Sequence, residues 1–318
     1  MKEYGGYIEL EYFNGNILHS DGTFLNSGRS CIAYLLESMK LKRVYLPFFI
    51  CDSVINVFKR YEIDIVFYNI NLDLQPMFEN DINDDECFYL VNLYGQLSNE
   101  TIREYSKKIK NIIVDNTQDY FANPVEGVNT FYICRKYFGV PDGAILFTNL
   151  ENSSQYTRDI VGDRMRFLIG RFEENASEYY EGYKYSNEYF ENKPIMRMSL
   201  ITENFLRGID YEEVKGRRTE NWNYAVKRFS KYNKLKLKDI KGPFAYPLMI
   251  DNGLNYKKVL VSKKVYIPTL WPNVTDECKE SLESRMASDI MPIPIDQRYS
   301  LEDMANMCDI IERVICEG

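Results

Sequence analysis

Short apolar runs alternate with helical stretches through the first half of the chain, and this alternation restricts the architecture more than any other feature. Runs at 44–46, 63–70, 87–93, 111–115, 131–134 and 144–148 have the length and character of strands. In 27–40, Ile32, Leu35, Leu36 and Met39 recur at helical spacing behind Ser27, a side chain suited to capping the first turn. Helices are likewise expected over 52–61 and 99–109. The runs 87–93 and 111–115 read as strands buried on both faces. Strand and helix in this order build right-handed crossovers. The sequence therefore predicts an α/β domain, a mostly parallel sheet with helices on both faces.

The character changes after residue 150. Residues 151–230 are expected to be helical and include a tyrosine-rich stretch at 178–190, read as packing or interface surface. Residues 227–241 carry seven basic side chains against one acidic and read as a solvated helix end and connector. Strands near 244–250, 264–268 and 291–295, with helices near 276–287 and 300–315, predict a small α+β domain. The expected division is a large domain over 1–228 and a small one over 229–318.

Composition narrows the chemistry. A balance of 39 basic against 47 acidic side chains, net −8, disfavours a nucleic-acid surface. The one histidine, His19, excludes multi-histidine metal centres and leaves a Ser-His-Asp mechanism resting on a single residue. Seven cysteines (31, 51, 87, 134, 278, 308 and 316) are scattered and hold no C-x-x-C pair, the usage of reduced thiols. No signal-peptide core opens the chain, and no apolar run approaches 18 residues. A soluble cytoplasmic protein is expected, with no metal, membrane or nucleic-acid partner.

Three segments carry candidate chemistry. Asn26-Ser27-Gly28-Arg29-Ser30 opens a helix. There Gly28 permits close approach of a ligand, open N–H groups favour an anion, and Arg29 adds a charged donor; a plain N-cap is the simpler alternative. The run 112–118 ends a buried strand in Asp115, at the sheet end where α/β folds bind ligands, unless the carboxylate only caps the next helix. In 134–143, Lys136 sits past a strand in a turn crowded with aromatic, glycine and proline residues. It is either a solvated charge or a desolvated nucleophile.

Together and in this order, the segments resemble the DegT/DnrJ/StrS family of pyridoxal-phosphate aminotransferases. Residues 25–32 are similar to the family's Gly-Thr-x-Ala-Leu helix start, and 44–47 to its strand-Pro-aromatic segment. Asn92-Leu93-Tyr94-Gly95-Gln96 resembles its His-x-Tyr-Gly-Gln, and Val114-Asp115-Asn116-Thr117-Gln118 its Glu-Asp-Ala-Ala-Gln. Arg135-Lys136 with Pro141-Asp142-Gly143-Ala144 resembles the lysine segment and its Gly-rich turn. Leu270-Trp271-Pro272 and residues 292–300 fit the small domain.

The resemblance implies an aspartate-aminotransferase-like fold of type I and a homodimer that uses pyridoxal 5′-phosphate. The implied reaction moves an amino group from glutamate to a keto sugar nucleotide. Lys136 would bond the cofactor and shuttle the proton, Asp115 would face the pyridine nitrogen, and Gln118 the ring hydroxyl oxygen. Gly28, Arg29 and Ser30 would hold the phosphate, Phe49 would supply the stacking aromatic, and Tyr94 and Arg197 would meet substrate. The chain departs from the family in having Arg29 for threonine and Asn92 for histidine, and no serine among Phe131, Tyr132, Ile133 and Cys134. The stacking aromatic falls near Cys51, and no asparagine precedes Arg197-Met198. A non-catalytic relative that binds the cofactor or a sugar nucleotide is the alternative.

Overall fold

Eight strands form one sheet in the computed structural model, which describes residues 4–277 and 281–317. They are β1 (Thr23–Leu25), β2 (Arg43–Pro47), β3 (Asp64–Ile70), β4 (Pro76–Met77), β5 (Glu86–Val91), β6 (Ile112–Asp115), β7 (Asn129–Ile133) and β8 (Ala144–Phe147). The spatial order is β1-β8-β7-β6-β5-β2-β3-β4. Strands β3, β2, β5, β6 and β7 run parallel, while β8, β1 and β4 are antiparallel additions at the edges. The order in which the chain adds strands reverses between β2 and β5. That reversal opens a crevice at the carboxyl ends of the central strands.

The core follows from the strand composition. Every residue of β6 is buried, as are all but the last of β5, so both sheet faces must be covered. Helices α1 (Gly28–Ser38) and α2 (Asp52–Arg60) cover one face with Ile32, Leu35 and Phe58. Helix α3 (Asn99–Ser106) covers the other through Ile102. Serine side chains start two of these helices: Ser27 accepts the Ser30 N–H at 3.2 Å, and Ser98 that of Thr101 at 3.1 Å.

Four helices come next: α4 (Arg166–Glu173), α5 (Tyr180–Glu188), α6 (Leu200–Arg207) and α7 (Tyr211–Phe229). The expectation of helix from residue 151 is corrected, because residues up to 161 run extended beside 196–198. There the Arg197 N–H donates to Thr157 at 2.8 Å and the Asp159 N–H to Arg197 at 3.0 Å. The C-terminal part adds β9 (Tyr246–Met249), α8 (Gly253–Ser262), α9 (Pro272–Glu277), α10 (Leu282–Asp289), β10 (Ile290–Ile293) and α11 (Leu301–Glu317). Trp222, Ala225 and Phe229 of α7 pack with Tyr246, Ile293 and Ile311 in a core of this part's own.

The strand expected at 264–268 does not form. Lys264 takes a left-handed backbone that closes α8, and the residues after it pair with no strand although Val265 and Ile267 are buried. The helix expected near 276–287 lies partly outside the described residues, as does Cys278; its described parts belong to α9 and α10.

Candidate active site

The turn after β7 is the centre of the site. The Cys134 N–H donates to the Gly143 carbonyl at 3.0 Å, and the Tyr137 and Phe138 N–H groups turn back to the Cys134 carbonyl at 3.0 and 2.9 Å. This tight loop buries Cys134, Tyr137 and Phe138 and leaves Lys136 exposed. Desolvation of the lysine, one of the two sequence readings, is therefore absent within one chain. The loop is clamped from the C-terminal part: the Tyr137 carbonyl accepts from Gln297 at 2.8 Å and from Arg218 at 3.2 Å.

Asp115 closes β6 and is buried. Its Oδ2 accepts the Tyr89 hydroxyl at 2.8 Å, and its Oδ1 the Thr117 N–H at 2.9 Å. Burial pushes this carboxyl above its ordinary range, while the Thr117 and Tyr89 hydrogen bonds and the Lys136 charge pull the other way.

Gln118 is buried and accepts the Tyr94 N–H on Oε1 at 2.7 Å, which leaves its NH2 group as the available donor. Tyr94 and Gly95 both adopt left-handed backbone (φ 50° and 73°), a strained turn at the end of β5. A Cβ on Gly95 would meet Ile240 at 2.9 Å and the Asp119 carboxylate at 3.3 Å. Asn92 holds the turn by accepting the Leu97 N–H at 2.9 Å and donating to Asn116 and Asp119 at 3.1 and 3.2 Å. Burial pushes Asp119 up to about 7 against the Asn92 hydrogen bond.

At the start of α1 the Ser30 hydroxyl donates to Asn26 Oδ1 at 2.7 Å, and its N–H is capped by Ser27. The open donors there are the Gly28 and Arg29 N–H groups and the Arg29 guanidinium. Gly28 also packs closely, since a Cβ there would lie 2.7 Å from Ile133 Cδ1. Arg29 lies near Cys51, and Tyr89 senses the same thiol. Phe49 is instead sealed in the core, edge-on to Trp271 with ring centroids 4.3 Å apart. The Tyr94 ring is buried in that core too. Arg197 is exposed and lines a separate cavity of about 640 Å³ with Tyr34, Tyr156 and Glu203, which includes neither Asp115, Gln118 nor Lys136.

Tyr183 of α5 is the residue that sequence reasoning missed. Burial alone would raise its phenol, but Lys136, an Asn187 hydrogen bond and Arg135 outweigh that and hold it below its ordinary value. The only advance signal was the tyrosine density of 178–190. His19, by contrast, is stacked on Tyr132 at 4.1 Å and bonded through Nε2 to the Tyr120 carbonyl at 2.7 Å, away from any Ser-His-Asp arrangement.

Asp115 at the end of β6 feels the charge of Lys136, in the turn after the neighbouring strand β7, and this arrangement invites comparison with known proteins. No family model and no curated protein matches the sequence. Solved structures do match. A DegT/DnrJ/EryC1/StrS aminotransferase from Brucella abortus superposes with a TM-score of 0.62 at 13% identity, over 91% of this chain and 84% of that one. The fold is that of these aminotransferases. S. venezuelae DesV, solved in complex with a ketimine intermediate, gives a TM-score of 0.65 at 14% identity over 96% and 91% of the two chains. Bacillus subtilis NtdA, solved with bound cofactor PMP, gives 0.62 at 13% over 92% and 73%. Among the described residues no helix is long and apolar enough to cross a membrane, and no cluster of side chains could hold a metal ion.

Proposed function

We propose that the protein is a pyridoxal-phosphate-dependent aminotransferase that moves an amino group from glutamate to a keto sugar nucleotide, working as a cytoplasmic homodimer. What supports this reading is the fold shared with such enzymes, together with Asp115 at the end of β6, Gln118 three residues on, and Lys136 in the turn after the neighbouring strand β7. The residues fit the cofactor's chemistry. Asp115 lacks a full counter-charge, Gln118 keeps a free amide donor, and Arg29 offers a cation beside open helix N–H groups.

When bound, pyridoxal phosphate supplies an aldehyde for the amine and a ring that acts as an electron sink. With the cofactor bound, Lys136 Nζ would be the amine that holds it and would move the proton during transfer. Asp115 would sit toward the ring nitrogen and favour its protonated form. At an effective dielectric of 20, a charge pair at 4 Å is worth about 4 kcal/mol, against about 1 in water, so the burial of Asp115 is what makes the pairing effective. The Gln118 amide orients the ring through its hydroxyl oxygen, while Gly28, Arg29 and Ser30 frame the phosphate end. Arg197 acts on the substrate side across the dimer, while Tyr94, expected to meet substrate, and Phe49 are both sealed in the core and support the site from within it.

Reduction of the cofactor-loaded protein with borohydride, followed by peptide mapping, tests this reading. Label on Lys136 is expected. Label on another lysine, or none after saturation with cofactor, overturns it. A screen of keto sugar nucleotides with glutamate as donor tests the substrate.

A further inference from the structure

Next to the site lies a group of arginines with too little negative charge around them. Arg135, the neighbour of Lys136, donates to Asn187 Oδ1 at 2.7 Å and stacks on the Phe190 ring at 4.8 Å. Arg164 shares that ring at 5.3 Å. One end of Arg164 is paired with Asp159 at 2.7 Å, but its Nη1 is buried and has no partner. Asp159 also accepts Asn26 Nδ2 at 2.9 Å, which brings Arg164 to the segment that opens α1 and carries Arg29. The Asn26 carbonyl in turn accepts the Gly143 N–H at 2.7 Å, tying in the Lys136 turn.

Among the described residues, neither Arg29 nor Arg135 forms an ion pair with a carboxylate. The nearby acid Asp142 is engaged by Ser199 and Thr202, and Glu191 is exposed. Burial pushes Arg135 down to about 10 against the pull of Tyr183 and Asp142, with the Arg164 and Arg29 charges adding to it. Three guanidinium groups with one carboxylate partner among them, Asp159 on Arg164, leave positive charge that an anion of high charge would complete.

We propose that Arg135, Arg29 and the unpaired Nη1 of Arg164 form the subsite for a phosphate monoester dianion. The assignment of that dianion to the cofactor rests on the aminotransferase reading; the alternative source is a nucleotide substrate.

The test uses four probes on the full-length protein: inorganic phosphate, pyridoxal 5′-phosphate, pyridoxal without phosphate, and uridine diphosphate. Binding is read by calorimetry and by the thermal midpoint. Inorganic phosphate should raise the midpoint of the wild type and not of Arg135→Gln. Affinity for pyridoxal 5′-phosphate should fall about 10- to 100-fold in Arg135→Gln and in Arg29→Gln, the scale of one lost charge-assisted hydrogen bond, while pyridoxal changes less than about twofold. Unchanged affinity for pyridoxal 5′-phosphate overturns the subsite. So does equal loss for pyridoxal, which would mean that Arg135 acts only through Asn187 and the fold. If uridine diphosphate alone depends on Arg135, the assignment to the cofactor is overturned. Should Arg135→Gln not fold, Arg29→Gln at the more open end carries the same comparison. A wild type that binds inorganic phosphate through Arg135 yet never bonds cofactor at Lys136 sinks the proposed function and leaves the anion site standing.

Discussion

The Tyr89 hydroxyl donates to Asp115 Oδ2 at 2.8 Å across the neighbouring parallel strands β5 and β6. The bond favours the ionised carboxylate, as the Thr117 N–H and Lys136 do, against a burial that disfavours it. Burial is the larger influence and leaves the Asp115 carboxyl above its ordinary range.

Asp115→Asn should keep the fold and lose most amino transfer, by about two to three orders of magnitude, the scale of removing one preorganised electrostatic contact. Tyr89→Phe should be milder and move the acid limb of the single-turnover rate to higher pH, because the carboxylate loses a donor that stabilises it. Stopped-flow rates across pH check both. Near-normal rates for Asp115→Asn would reduce Asp115 to a structural cap.

Arg197 opens into a cavity apart from Lys136 within one chain. If Arg197 serves the partner's site, mixing Lys136→Ala with Arg197→Ala chains should restore up to one working site per heterodimer. Purified heterodimers with no recovered activity would remove Arg197 from a shared site. An active monomer in sedimentation would remove the shared site itself.

Stability should depend on pH through two buried groups of opposite sign. The folded pKa of Asp119 is raised from 3.8 to about 7, so the folded state holds its proton more tightly than the unfolded chain. Its contribution is fully present below the unfolded value and is lost as pH rises toward 7. Asp119→Asn should therefore raise the thermal midpoint at pH 8 more than at pH 4. His19 is lowered from 6.5 by burial, so the folded state resists protonation and stability falls as pH drops below 6.5. A neutral substitute, His19→Gln, should flatten that acid-side loss. Thermal scans of the wild type and both variants separate the two, and identical pH profiles for all three would contradict both assignments.

Tyr183 should ionise below an ordinary tyrosine, and Lys136→Met should move that titration upward by removing the leading favourable charge. Ultraviolet difference titration against Tyr183→Phe isolates the one phenol. An unmoved titration in Lys136→Met would show that α5 does not cover the lysine.

Much of the sheet was legible in the chain because its signals are local. Uninterrupted apolar runs such as 112–115 demand burial on both faces wherever they lie, and a serine before a helical period demands a cap. The segments with Asp115, Gln118 and Lys136 were legible for the same reason, since each stands at the end of such a run. The failures were equally physical. Residues 264–268 have strand character but no neighbour with which to pair, and residues 157–159 are held out of helix by backbone bonds with Arg197.

What the sequence determined by itself, then, was the alternation of strand and helix and the chemical types brought to the strand ends, both properties of short stretches of chain. Tertiary structure decided which side chains meet. Arg135 reaches Asn187 across 52 residues, and Tyr183 is felt by Lys136 from a helix whose tyrosines read only as surface. Phe49 lies in the core against Trp271, and Cys51 lies near Arg29. No periodicity carries such pairings, because they depend on how distant segments return to the crevice and on the burial and charge they find there.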